Sequence, residues 1–239
     1  MSLVTVAQTC DKTILRLLTA HPKVSAATTG PNLLDFNIGP WPRRIIRQGL
    51  PPTDGLCGLV ELVDNNPMVC ADEFILPSIG ASLALIALGP VALTDIIVES
   101  PTIIANVVLN DSEIALALAE MGWTGGVVTH HEELPGVNVA ATTVMVAIRS
   151  PESLDEIREA FDERFGRSFY VKESVQEPWD QGLVFAKPEA RYRLSLALDT
   201  PNSLLTIRVV ADYNGKVGAG QVIHAMNVMC GFEESLGVF

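Results

Sequence analysis

Two short segments of the chain carry residue types that can do chemistry. The first is the glycine-rich run Gly215 to Gly220 (GKVGAG), followed by Gln221. Gly215, Gly218 and Gly220 allow a tight turn, with positive φ open to each. A helical apolar pattern over Gln221 to Met229 follows, and Gly231 is placed to end it. Such a turn can leave backbone N–H groups free at a helix N-terminus, where an anion or a polar ring docks. Glycines chosen only for close packing give the same local pattern. The second segment is Thr129 to Glu133 (THHEE). Two imidazoles and two carboxylates can hold a divalent metal. Adjacent histidines on a strand point to opposite faces, however, and the only others are His21 and His224. The expectation is a solvated strand end and no metal, with His130 and His131 as the candidates if there is one.

These segments need a scaffold, and 239 residues suffice for one large domain or two small ones. A hydrophobic share of 48% against 18% charged predicts extensive burial or a subunit interface. We therefore expect a homo-oligomer, a dimer in the first instance. The formal charge of -12 argues against nucleic acid or an anionic membrane as the main partner. Cys10, Cys57, Cys70 and Cys230 form no CxxC pair, which predicts reduced, mostly buried thiols in a cytoplasmic protein. The uncharged stretch Phe74 to Thr94 is long enough to span a bilayer, but Pro77, Gly80, Gly89 and Pro90 interrupt it. A buried helix over about Gly80 to Leu88 fits it better.

Leu3 to Val6 predicts a strand, Lys12 to Ala20 a helix with Ile14, Leu15, Leu17 and Leu18 inward, and Val24 to Thr28 a second strand. This is the start of a βαβ unit. A dinucleotide site needs glycines in the first turn, but Ala7 to Lys12 has none, and Asp11 puts a negative charge where pyrophosphate would sit. Gly39 to Gly55, with four prolines, predicts a loop with a brief helical stretch; Arg43, Arg44 and Arg47 either clamp an anion or solvate a surface. Further on we expect strands at Ile96 to Val98, Val127 to Thr129, Thr142 to Ile148, Ser168 to Val171, Arg191 to Leu198 and Leu204 to Ala211. Asp111 or Ser112 can cap a helix to Met121, and Ser153 to Glu156 is a capping box opening a helix to about Phe165. Strands interspersed with helices predict a mixed sheet backed by helices.

The C-terminal segment closely resembles the signature of the N-acetyl-gamma-glutamyl-phosphate reductases, of the aspartate-semialdehyde-dehydrogenase-like superfamily. Lys216, Gly220, Gln221, Met226, Asn227, Met229, Gly231, Glu234 and Gly237 stand in the places of that family's Lys-Gly-Ala-Ala-Gly-Gln turn, Met-Asn-x-Met helix and Gly-x-x-Glu-x-x-Gly-Leu ending. Leu15 to Leu18 with His21-Pro22, Leu33 to Phe36, and Gly58-Leu59 with Glu61 resemble further family segments. The resemblance implies an α/β protein with a truncated Rossmann-like part over residues 1–94. It implies an α+β domain over 95–225, like the family's catalytic and dimerisation domain, and a C-terminal helix and tail over 226–239 returning to the first part.

That family's chemistry needs a thiolate, a proton-handling histidine and a nicotinamide. The resemblance puts Ile79, or Ile75 one helical turn back, at the nucleophile position. Asn110 stands where the histidine would be; an amide can donate a hydrogen bond but cannot relay a proton at neutral pH. Asn138 replaces the substrate-binding arginine. Nucleophile, base, arginine and nucleotide glycines are thus all missing, and Cys70 lies too far back to substitute. The expectation is a degenerate homologue without the reductase activity. It would bind a small acidic metabolite, serve a structural or regulatory role, or run a repurposed reaction, with no cofactor. Its candidate ligand-binding residues are Lys216, Gly218, Gly220, Gln221, Asn227, Ser78, Ser82 and Asn138. Two alternatives stand beside it: an NADP-dependent semialdehyde-forming oxidoreductase with an atypical site, and a metal-dependent enzyme using His130 and His131.

Overall fold

The structure, a computed structural model, describes residues 3–47, 55–63 and 65–238. It is a mixed α/β protein with two mixed sheets. Strand β1 (Val4–Thr9), helix α1 (Lys12–Ala20) and strand β2 (Ala27–Thr29) form the expected parallel βαβ unit. Ile14, Leu17 and Leu18 are the buried face of α1, as the 3.6-residue period requires. From there the sheet departs from a parallel one: β3 (Leu34–Ile38) runs antiparallel to β1, and β4 (Trp41–Arg47) antiparallel to β3. Helix α2 (Asn65–Cys70) precedes β5 (Glu73–Leu76), which lies parallel to β4, giving the order β2-β1-β3-β4-β5.

Strand β4 corrects the loop expected over Gly39 to Gly55; positions 48–54 of that stretch lie outside the described residues. Prolines and arginines hide the strand from a periodicity argument. Pro42 is tolerated beside the hairpin turn, where Gly39 takes a φ of 59°. The three arginines are held by the chain's own groups. Arg44 pairs with Asp35 directly across the hairpin at 2.6 Å, Arg43 donates to the Met229 carbonyl, and Arg47 reaches the Gly218 carbonyl at 3.5 Å.

The second sheet is built from β6 (Thr102–Ala105), β7 (Val128–His131), β8 (Ala140–Arg149), β9 (Val171–Glu173), β10 (Ala190–Ala197) and β11 (Asn202–Ala211), in the order β7-β6-β8-β11-β10-β9. The strand expected at Ile96 to Val98 is reduced to a single bridge from Ile97 to Ile148, and the paired strand starts at Thr102. Strand β9 likewise begins at Val171, later than the apolar run from Ser168 suggests. Helix α3 (Ile79–Ala92) is buried from Gly80 to its end and packs on β8 and β11. An all-round apolar helix belongs inside a core, and no described helix is long and apolar enough to cross a membrane. Helix α4 (Asp111–Ala119) packs on α3, and α5 (Leu154–Phe165) covers β10 and α3.

Two main clusters form the core. One gathers α3 with Val144, Val146, Phe161, Tyr192 and Ile207 of the second sheet and its helices. The other gathers Val4, Leu18, Phe36, Ile45 and Phe74 of the first part with α6 (Ala219–Cys230) and Val238. The last helix of the sequence therefore closes the core of the first sheet. Gly231 ends it at a φ of 66°, a left-handed cap as the sequence predicts.

Candidate functional site

The N-termini of α3 and α4 open on one cleft of about 990 Å³, its mouth included. Ser78 caps α3, its hydroxyl accepting from the Ala81 N–H at 3.2 Å. Ile79 is the first residue of α3 and lines the cleft. Asn110, and neither Asp111 nor Ser112, caps α4: its side-chain oxygen accepts from the Glu113 N–H at 3.1 Å. The positions given by resemblance to nucleophile and base thus face the same space, and neither carries sulfur or imidazole. Asn106, Val107, Val108, His131 and Tyr213 complete the walls. The close approach of the two elements depends on Gly80, where a Cβ would lie 2.4 Å from the Val108 carbonyl oxygen.

Glu113 is the residue that sequence reasoning missed. It is only 2% exposed, and one carboxyl oxygen accepts from the Ser78 N–H at 2.7 Å. Its other oxygen, Oε2, has no hydrogen-bond partner. The carboxyl lines both the cleft and an inner hollow of about 270 Å³ with apolar walls, which also holds Cys57 and Pro77. Burial pushes the Glu113 carboxyl above its usual range, against the pull of the Ser78 N–H, the Ser78 hydroxyl and the Arg47 charge. A signal was present in the sequence. An acid three residues after an N-cap normally turns back to the cap's own N–H; here it reaches across to the N-terminus of a different helix.

The chain's own carboxyl groups therefore occupy two helix N-termini. Glu113 sits at the start of α3, and Asp11 caps α1 by accepting from the Thr13 and Ile14 N–H groups at 2.7 and 2.9 Å. In the glycine-rich turn two of the N–H groups serve the chain's own carbonyls. Gly218 and Gly220 are buried, and their N–H groups donate to the carbonyls of Gly215 at 3.0 Å and Asn214 at 2.8 Å. None of Gly215, Gly218 and Gly220 has positive φ; each is needed for close approach.

Lys216 lies away from the cleft lining, fully buried, with its ammonium 2.7 Å from Glu61 and donating to His224 Nδ1 at 3.2 Å. His224 Nε2–H donates to Glu234 at 2.9 Å, and the Tyr170 ring lies 4.3 Å from the imidazole. Asn227 accepts from His21 Nε2–H at 3.0 Å and donates to the carbonyls of Glu234 and Leu236. Lys216 and Asn227 thus hold α6 and the C-terminal tail to the rest of the fold. Gln221 and Ser82 are also buried; Ser82 Oγ lies 3.4 Å from Gln221 Oε1, and Gln221 Nε2 has no partner. Ile75 is buried in β5, and Asn138 donates its backbone N–H to Gln181 from a loop outside the cleft.

His130 and His131 are neighbours on β7, and only His131 lines the cleft. Among the described residues no three His, Cys, Asp or Glu side chains come together as a ligand set. All four cysteines are free, but Cys10 and Cys70 are exposed and Cys57 and Cys230 half-buried, which corrects the expectation of mostly buried thiols.

The buried histidines set an acid limit. Burial lowers the pKa of both His21 and His224, and Lys216 adds to the effect at His224. Each Nδ1 already accepts a hydrogen bond, from the Lys23 N–H and from Lys216, so protonation breaks it. A base with a lowered folded-state pKa binds fewer protons in the native than in the unfolded state, so its stability contribution is intact above pH 6.5 and lost as pH falls below it. Glu61, held below the usual range because Lys216 and His224 outweigh its burial, extends the loss below pH 4.5. Among the carboxyl groups with a shifted pKa, Glu113 acts in the opposite sense. We expect the unfolding free energy from urea titrations to stay level from about pH 7.5 to 6.5 and to drop from about pH 6.5 to 5.5 by up to about 1.4 kcal/mol for each histidine. A flat profile would contradict the paired neutral imidazoles.

No protein-family model and no curated protein matches the chain.

Proposed function

We propose that the protein is a degenerate homologue of the N-acetyl-gamma-glutamyl-phosphate reductases that binds a small molecule in the cleft between α3 and α4 and does no nicotinamide chemistry. The observation that carries this reading is the convergence of Ser78, Ile79, Asn110 and Glu113 on one largely apolar space. Ligand sites are commonly concave and apolar with a few oriented polar groups, and Glu113 supplies a buried one. The absence of a thiol at Ile79, of an imidazole at Asn110 and of glycines around Asp11 speaks against acyl-phosphate reduction. The truncated Rossmann-like character of the first part belongs to this proposal, and its support is the β1-α1-β2 unit. Four free cysteines suit the reducing cytoplasm.

Calorimetric titration with NADPH and NADP tests the reading. No heat of binding is expected in the micromolar range, and binding there would sink the proposal. The second reading, an NADP-dependent semialdehyde-forming enzyme with an atypical nucleophile, draws on one observation: the Cys57 thiol lines the hollow shared with Glu113. Burial raises that thiol's pKa, with Glu120 adding to the effect, which disfavours the thiolate that such chemistry requires. Hydride transfer to N-acetyl-gamma-glutamyl phosphate, lost on Cys57→Ser, would establish the second reading over the first.

A further inference from the structure

We propose that the ligand of this cleft is an amine: an apolar body carrying a protonated amino group that pairs with the free oxygen of Glu113. The inference rests on the small-molecule reading above and names the ligand class.

Two helix N-termini facing one space would ordinarily favour an anion. Here three of the N–H groups at these two ends are already engaged. The Ser78 N–H serves Glu113, the Ala81 N–H serves Ser78 Oγ, and the Glu113 N–H serves Asn110. The positive end of α3 is thus occupied by the chain's own carboxyl group. No Lys or Arg lines the cleft among the described residues. Arg47, whose charge acts on Glu113, is directed at the Gly218 carbonyl. The chain as a whole carries a formal charge of -12. An acidic metabolite, expected from the sequence, would meet the Glu113 carboxyl in this cleft and no lysine or arginine among its lining residues.

Glu113 has what an amine lacks and lacks what an amine has. Its Oε2 is buried without a donor, a costly condition that a charged N–H relieves more than a neutral one. The Ser78 N–H on the other oxygen stabilises the ionised carboxylate and holds it in place. Around it, Ile79, Val107 and Val108 offer apolar contact and Tyr213 an aromatic ring, surfaces that suit a hydrocarbon body and a neighbouring cation.

The test titrates the full chain with hexylamine, hexanol and hexanoate at pH 7.5, following the methyl resonances of Ile79 and Val107. Hexylamine should bind at least about tenfold more tightly than hexanol, the preference expected of a charge-assisted hydrogen bond. Glu113→Gln should bring that ratio close to one without weakening hexanol. Val108 is 81% exposed at the cleft wall, so Val108→Lys should fold and should weaken hexylamine severalfold more than it weakens hexanol. If hexanol or hexanoate binds as well as the amine, or the ratio survives in both variants, the amine inference is overturned and the small-molecule reading stands. If none of the three probes moves the cleft resonances, both fall.

Discussion

Lys216→Met should destabilise the protein by about 3–5 kcal/mol, the usual result of removing one partner of a buried ion pair. The Lys216 side chain is 0% exposed and that of Glu61 4%, and they meet at 2.7 Å. Methionine fills most of the volume but leaves the Glu61 carboxylate without its cation and His224 Nδ1 without its donor. The Ser168 hydroxyl, 3.1 Å from Glu61, is a poor substitute for a charge. Urea unfolding followed by circular dichroism measures the loss. The double variant Glu61→Gln with Lys216→Met should recover a large part of it, because the two residues act as one unit. A single-variant loss below about 1 kcal/mol, typical of an exposed pair, would mean that Lys216 reaches solvent and is available to a ligand after all.

Gly218→Ala should be nearly as damaging for a different reason. A Cβ there would lie 1.8 Å from the Tyr213 carbonyl oxygen and 2.9 Å from the Asn214 Cα, both backbone atoms that cannot swing aside. The turn would have to open, displacing the start of α6 and the carbonyl that Arg47 approaches. We expect about 3 kcal/mol or more, the upper range for overpacking a tight core. Gly126→Ala is the control: the nearest atom, Ser100 Oγ, is 3.8 Å away, and a change within about 0.5 kcal/mol is expected there. Equal stability of the two variants would show that the glycine run is not held by packing.

Both outcomes bear on the segment that carries the resemblance. Read as a sequence, Lys216, Gly218, Gly220, Gln221 and Asn227 look like ligand-binding residues. In the fold they form a buried polar and packing network that ties α6 to Glu61, Tyr170 and the tail. A motif can persist because its residues pack on one another, whatever becomes of the chemistry beside them.

Local structure was legible wherever its causes are local. The α1 face, the Ser153 cap, the left-handed Gly231 and the alternation along β8 follow from residues within a turn or a strand of each other. Strand β4 was not, since its stability comes from Asp35 across the hairpin and from β5, which begins 26 positions after β4 ends. The run at Ile96 to Val98 misled because an apolar triplet fits a strand, whereas here its pairing stops at the single bridge from Ile97 to Ile148.

The sequence by itself determined the α/β class, the lack of a dinucleotide turn around Asp11, and the absence of cysteine and histidine at Ile79 and Asn110. These are statements about residue type, and no packing can change them. Only the tertiary structure decided which polar groups are left over. Glu113 belongs to the cleft because Ser78, 35 residues earlier, presents its N–H to one oxygen and leaves the other unpaired. Lys216 is withdrawn from any ligand because Glu61 and His224 reach it from other elements. A hydrogen-bonding group acts on a ligand only if the fold has not already satisfied it, and that depends on contacts between residues far apart in the chain.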